Sequence, residues 1–413
     1  MSTQSTADML RAFGRIGLLS FGGPAAQIAI MHEELVERRS WLSEDQFLRA
    51  LSLCMLLPGP EAMQLATYAG WRLRGIWGGL LAGLLFVVPG ALVIFALAFA
   101  YISYGQIPLV QAAFVGVKAA VIIVVLQALL RLAHKALAHR SAWVLAALAF
   151  VALFFFGLPF PLIIGMAAFY GFITSKAAHE SPVAFSVPIA QTLRTIAIWS
   201  VLWVAPMIFL WLIQAEFLIQ LGLFFSKLAV VTFGGAYTVL AYMSQTVVQD
   251  YGWVTSGQMI DALGLAETTP GPLILVTEFV AILAGARSGG IGLAIAAGLL
   301  ALWVTFIPCF LWIFAAGPYI ETLTSRPRLS AALSAITAAV VGVILNLSIW
   351  FALHVLFDQV AKWGAMPLPT LTSINLIAVF LTATAALLML RYKLGLVSTM
   401  GLMALTGMGL SIF

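Results

Sequence analysis

Charge is what this sequence has least of. Only 8% of its 413 residues are Asp, Glu, Lys or Arg, against 63% hydrophobic residues. A soluble domain carries about 25% charged residues, so a soluble globular protein is excluded. Cysteine is nearly absent too. Cys54 and Cys309 both lie in apolar runs without metal-ligand spacing and read as packing residues, and a disulfide scaffold is excluded. The five histidines, at 32, 134, 139, 179 and 354, show no ligand spacing either, so no metal and no cofactor is expected. No G-x-x-x-x-G-K-[ST] and no H-E-x-x-H occurs, and no Ser/His/Asp arrangement stands out in the apolar runs, which removes ATP hydrolysis and the common hydrolases. The net charge of +5 fits basic cytoplasmic loops rather than nucleic-acid binding.

What remains is apolar sequence, with a mean hydropathy of +1.08. The chain has room for roughly ten spans of about 20 residues with short loops. Long apolar runs fall at about 76–104, 107–133, 142–157 and 158–175, and again from 195 to the C-terminus. The first apolar stretch already holds a repeated motif, so it reads as mature structure and not as a cleaved signal. The expected fold is an all-α polytopic membrane protein in a lipid bilayer.

The apolar runs repeat. Phe21-Gly22-Gly23 returns 212 residues later as Phe233-Gly234-Gly235, Trp41 as Trp253, and Pro58-Gly59-Pro60 as Pro270-Gly271-Pro272. From Phe21 to Pro60 the register holds without a gap, with 14 identities in 40 positions. Beyond it the shift becomes 219, aligning Val88-Pro89 with Ile307-Pro308 and Lys118 with Thr337. Two homologous repeats follow: residues 1–175 and 193–413, joined by a linker at 176–192. In the first repeat the connectors carry Arg38, Arg39, Arg49, Arg72 and Arg74. The equivalent positions of the second hold Asp250, Tyr251, Asp261, Ala284 and Ala286. Basic residues collect on the cytoplasmic side, so the same connector lies on opposite sides in the two repeats. That is an inverted repeat, the signature of a secondary transporter.

Glycine and proline break the helices at Phe-Gly-Gly and Pro-Gly-Pro. Backbone freed in hydrocarbon needs partners or a water-lined cavity, so broken or re-entrant helices are expected there. A helix starting after Pro60 or Pro272 presents unpaired N–H groups that suit an anion; the alternative is a plain kink. Arg15 and Lys227 are also 212 apart, each six residues before its Phe-Gly-Gly. They either face a dianion or snorkel to the interface. Lys118 sits in an apolar run without an acidic neighbour in that segment, and the same two readings apply. Gln64 is placed to donate to an anion, and Glu61 to complement the helix start. Glu267 and Glu278 flank the second Pro-Gly-Pro in apolar sequence. They are candidates for proton coupling, against an interfacial position for Glu267 and a pairing of Glu278 with Lys227.

Several motifs coincide: Gly17-x-x-Ser20-Phe21-Gly22-Gly23-Pro24, Trp41-Leu42-Ser43, Leu57-Pro58-Gly59-Pro60-x-x-x-Gln64, Val88-Pro89-Gly90 and Ile336-Thr337-Ala338-Ala339-Val340-Val341-Gly342. Together they resemble the chromate transporter (CHR) family in its long two-domain form, over nearly the whole chain. Glu267-Thr268-Thr269 departs from it, because a neutral amide is expected before the second Pro-Gly-Pro. The resemblance implies export of chromate across a bacterial inner membrane, chromate resistance, sulfate as a similar oxyanion, and a basic residue ahead of each Phe-Gly-Gly. An oxyanion importer or an anion channel on the same fold is the alternative, and a homodimer is left open.

Overall fold

The structure is a computed structural model that describes residues 5–175, 188–233, 236–320, 323, 326–364 and 366–411. Gly234 and Gly235, and 176–187 of the expected linker, lie outside the described residues.

The chain is helical almost throughout, as its composition requires. In order come α1 (Thr6–Leu19), α2 (Gly23–His32) with a π-helical extension over Glu33–Arg38, α3 (Glu44–Leu56), α4 (Glu61–Tyr104), α5 (Pro108–Ala136), α6 (Arg140–Phe154) and α7 (Phe160–Thr174). Then follow α8 (Ile189–Leu212), α9 (Glu216–Val231), α10 (Ala236–Gln245) with a π-helical extension over Thr246–Asp250, α11 (Ser256–Thr268) and α12 (Val276–Ala316). The chain ends in α13 (Pro327–Leu356), the strands β1 (Val360–Trp363) and β2 (Met366–Pro369), α14 (Leu376–Ala386) and α15 (Leu396–Leu410). The antiparallel hairpin β1–β2, paired from Val360↔Pro369 to Trp363↔Met366, is an addition to the all-helical expectation.

Among the described residues, five helical stretches are long and apolar enough to cross a membrane: Glu61–Tyr104, Pro108–Ala136, Ile189–Leu212, Leu273–Tyr319 and Pro327–Leu356. A continuous helix of 44 residues, the length of α4, would reach about 66 Å, twice the hydrocarbon core. It is divided instead. Arg74 and Gly75 leave helical geometry, as Gly289 and Gly290 do in α12. The sequence expects a break before residue 76, and the structure has it.

Local rules explain the helix starts. Ser43 and Gln46 form a reciprocal capping box on α3. Thr255 and Gln258, 212 residues on, exchange the same two bonds ahead of α11. The turns before them match too: Trp41 N–H donates to Leu35 O (2.8 Å) and Trp253 N–H to Val247 O (2.9 Å).

The chain forms two compact units, each drawing on both sequence halves. Unit 1 comprises residues 1–96, 172–236 and 269–333. Its core holds Phe13, Ile16, Phe86, Phe225 and Phe279, all fully buried, and α12 packs on α8 and α9. Pro89, inside α4, has no N–H for the carbonyl of Leu85. Gly17 of α1 lies against that carbonyl so closely that a Cβ would stand 2.0 Å from it.

Unit 2 comprises residues 97–171, 237–268 and 334–413. Here α5 packs on α11, α14 and α15. Small residues permit the approach: a Cβ at Gly116 would stand 1.9 Å from Met403 O, and one at Gly407 2.3 Å from Ala112 O. Small residues at helix contacts are how membrane helices pack, since apolar side chains gain nothing by leaving lipid.

Candidate functional site

In unit 1 the two kinds of broken motif cross. Gly59 N–H donates to Thr232 O (2.9 Å), and Gly271 N–H donates to Ser20 O (3.0 Å). Each Pro-Gly-Pro is therefore tied to the residue before the other half's Phe-Gly-Gly. Ser20 and Thr232, like Gly59 and Gly271, are 212 apart. Both hydroxyls turn back on their own helices, Ser20 Oγ to Ile16 O and Thr232 Oγ1 to Leu228 O, each at 2.5 Å. A buried backbone that has left helical geometry must find partners, and each motif supplies the other's.

Glycine is required at the centre of each turn. Gly59 has φ +119° and Gly271 φ +86°, conformations that side chains resist. The third motif of each half closes on the same turns. A Cβ at Gly90 would stand 2.2 Å from Pro270 O, and one at Gly59 would stand 3.0 Å from Cys309 Sγ. Gly90 and Cys309 are the equivalent positions at the 219 shift, so Cys309 packs at the crossing, as its reading as a packing residue predicts.

Two glutamines clasp the turns. Gln27 Nε2, on α2, donates to Gly271 O (2.7 Å) and Ser20 O (3.3 Å). Gln64 Nε2 donates to Pro58 O (2.7 Å). Gln64, expected to face an anion, thus turns an amide hydrogen back onto its own loop. Gln27 escaped the sequence reading because a single amide in an apolar helix carries no pattern. Its partner position, Val239, is apolar, so the repeat does not flag it.

The two Pro-Gly-Pro exits differ. After Pro60 an α-helix starts at once with Glu61 in its first turn, where a carboxylate suits the dipole. After Pro272 the chain first makes a 3₁₀ turn over Leu273–Leu275, and α12 begins at Val276. Phe21 is exposed, Phe233 half-buried, and Pro270, Gly271 and Pro272 are buried.

Arg15 and Lys227 are both exposed, on α1 and α9. Arg15 Nη1 stands 3.7 Å from Glu34 Oε2, a carboxylate that also receives Arg39 Nε (2.7 Å) and Arg38 Nη1 (3.4 Å). Burial works to raise the Glu34 carboxyl, but the Arg39 hydrogen bond and the surrounding guanidinium charges outweigh it and hold it below its ordinary value. Beside it His32 contacts Glu44 (2.6 Å) and Glu37 (3.2 Å), and the Glu44 bond raises the imidazole above its ordinary value. Glu278 is buried in α12, with Oε2 lacking a hydrogen-bond partner among the described residues.

Unit 2 holds the other candidates. Glu267 is buried within the protein and accepts from Tyr237 Oη (2.5 Å). Lys118 has no acidic neighbour in its own helix, but α11 supplies one: Nζ stands 3.4 Å from Asp261 Oδ1. Asp261 also accepts from Tyr101 Oη at Oδ2 (2.8 Å). The sequence reading used Asp261 only as a position lacking arginine. A carboxylate within the apolar stretch Met259–Ala266 was the available signal.

Comparison with known proteins follows the same lines. A family model described as "Chromate transporter" matches residues 7–172 and 219–408. The chain is 33% identical over 347 residues to the chromate transport protein of Pseudomonas aeruginosa, covering 82% of this chain and 79% of that one. It is 29% identical over 365 residues to the chromate transport protein of Cupriavidus metallidurans, covering 86% and 85%. An uncharacterized transporter of Methanocaldococcus jannaschii is 26% identical over 358 residues, covering 85% of each chain. No solved structure matches.

Proposed function

The chain belongs to the chromate transporter family, and from that premise we propose that it exports chromate from the cytoplasm and so confers chromate resistance. It is a transport protein with several membrane-crossing helices, not an enzyme. Chromate is the substrate named for two of the relatives. We place the protein in a bacterial inner membrane and read sulfate as a competing oxyanion of the same shape.

The observation that carries this reading is the crossing of Gly59 with Thr232 and of Gly271 with Ser20. Equal hydrogen bonds at equivalent positions of two sequence halves support a pair of homologous repeats. The arginine-rich connectors of the first half and their arginine-free counterparts support an inverted pair. The 13 residues of α3 are too few to cross the bilayer. Nor are the residues from Glu61 to the break at Arg74 enough. With Pro-Gly-Pro between them, these two legs read as a re-entrant hairpin. Transporters build their substrate sites from such broken elements near the midplane. Arg15 and Lys227, one per half, supply positive charge ahead of each crossing.

Direction follows from charge. One charge moved through 100 mV gains about 2.3 kcal/mol, so a dianion leaving a negative interior gains about 4.6 kcal/mol. That sustains a gradient on the order of 10³ without ATP. Inside-out vesicles test this with labelled chromate. Uptake driven by an inside-positive potential supports export, whereas uptake indifferent to potential refutes it. Exchange for protons through Glu267 or Glu278 is the second reading, favoured by their burial, and it predicts luminal alkalinisation.

A further inference from the structure

Unit 2 contains a polar cavity that the crossing motifs do not touch. Its volume is about 370 Å³, and Tyr101, Gln106, Gln111, Lys118, Thr255 and Asp261 are among its lining residues, with Gln258 beside Thr255. Its lining is polar in an otherwise apolar chain, and Gln106, Gln111 and Thr255 are exposed at its rim, so the cavity is open to a dissolved ion while Asp261 lies buried at its wall.

The hydrogen bonds in its wall show what it offers a ligand. Gln258 Oε1 accepts from Thr255 N–H (2.9 Å), and Thr255 Oγ1 accepts from Gln258 N–H (3.2 Å). Gln106 Oε1 accepts from Gln111 Nε2 (3.2 Å). These acceptors are engaged within the wall. The amide N–H groups of Gln258 and Gln106, the Thr255 hydroxyl and the Lys118 ammonium are the donors these lining residues carry. That is a donor set for an oxyanion.

One carboxylate interrupts the donors. Asp261 is 4% exposed and holds Lys118, which is 24% exposed and open to the cavity. Gly257 leaves room beside the ammonium, since a Cβ there would stand 3.3 Å from Nζ. The charged and titratable groups facing Asp261 are Lys118 on α5 and Tyr101 at the end of α4. Glu267, on its own helix, is bonded to Tyr237 instead. α15, which also packs on α11, has no ionisable side chain. The equivalent positions of the other halves, Thr337 and Arg49, carry no carboxylate, so the pair is not imposed by the repeat.

We propose that this cavity binds a tetrahedral oxyanion on Lys118 together with one proton on Asp261. The ammonium passes from the Asp261 carboxylate to the anion. Asp261, left buried beside a new negative charge, takes a proton from water at Oδ1, the oxygen that the ammonium has left. Tyr101 is a positioning residue that holds Oδ2. The proton and the anion then bind cooperatively. This rests on the transport reading above and adds a proton that moves with the anion, halving the charge carried per dianion.

The test uses purified full-length protein in detergent, weakly buffered with a pH indicator and titrated with sodium chromate near pH 8. About one proton should be taken up per anion bound. Affinity should weaken roughly tenfold per pH unit wherever free Asp261 is ionised. Asp261→Asn should still bind, without proton uptake and without that pH dependence. Lys118→Arg should keep binding that Lys118→Met loses. Melting curves of each variant report folding. Binding by the wild type without proton uptake, or uptake unchanged in Asp261→Asn, would overturn the proposal alone. In inside-out vesicles luminal acidification accompanying uptake supports it, and alkalinisation overturns it. No chromate binding or uptake by the wild type would overturn the transport reading itself.

Discussion

Gln27→Met isolates the clasp on the second Pro-Gly-Pro. Gln27 is 1% exposed, and its amide donates to Gly271 O at 2.7 Å and to Ser20 O at 3.3 Å. Methionine has similar length and volume, so the substitution removes hydrogen bonds without opening a large cavity. The two carbonyls fare differently. Ser20 O keeps the Gly271 N–H at 3.0 Å. Gly271 O loses this donor while buried, which costs about 1–3 kcal/mol. If the crossing holds in only one transport state, that energy shifts the balance of states by roughly 5- to 150-fold. Potential-driven uptake of labelled chromate in inside-out vesicles, normalised to protein, reads the shift. Thermal melting in detergent reads the stability. Lower uptake with a lowered melting temperature is expected. Unchanged melting together with unchanged uptake would refute the clasp, and lowered melting with unchanged uptake would confine it to the resting structure.

Lys227→Ala is expected to abolish chromate resistance while the protein still inserts, as immunoblots of membranes would show; full resistance would remove Lys227 from the site. Gly90→Ala puts a Cβ 2.2 Å from Pro270 O and should destabilise by about 1–3 kcal/mol. Gly165→Ala, with open space around it, should melt like the wild type. His32→Gln tests the pair with Glu44 by pH. The folded His32 value is raised above 6.5, so its contribution is complete below that pH and fades as pH rises through the folded value. The melting difference from wild type should therefore be small and present in acid, since the pair is near the surface, and vanish in alkali; the reverse trend would refute the pairing.

Much of the fold was legible in order. Hydropathy located the apolar helices, of which five among the described residues are long enough to span, and Gly and Pro located the breaks, because both act through a few neighbouring residues. The structure adds bonds that recur at the same shift of 212: Ser43/Gln46 with Thr255/Gln258, and Gly59 with Gly271. The β1–β2 hairpin was missed, because its eight strand residues lie between longer apolar runs that dominate any window.

The candidate site divides in the same way. The sequence by itself determined a membrane protein with paired helix breaks and a few stranded charges, since the exclusion of charge from hydrocarbon and the geometry of Gly and Pro are written residue by residue. Only the tertiary structure decided partners. Gln27 meets Gly271 across 244 residues, and Tyr101 meets Asp261 across 160. No local periodicity encodes such meetings; they arise when helices pack closely enough for buried polar groups to find one another. Arg15 was legible as a cation, but its place beside Glu34 was not. Lys118 was legible as a lysine without a neighbour, and only the packing of α11 on α5 gave it one.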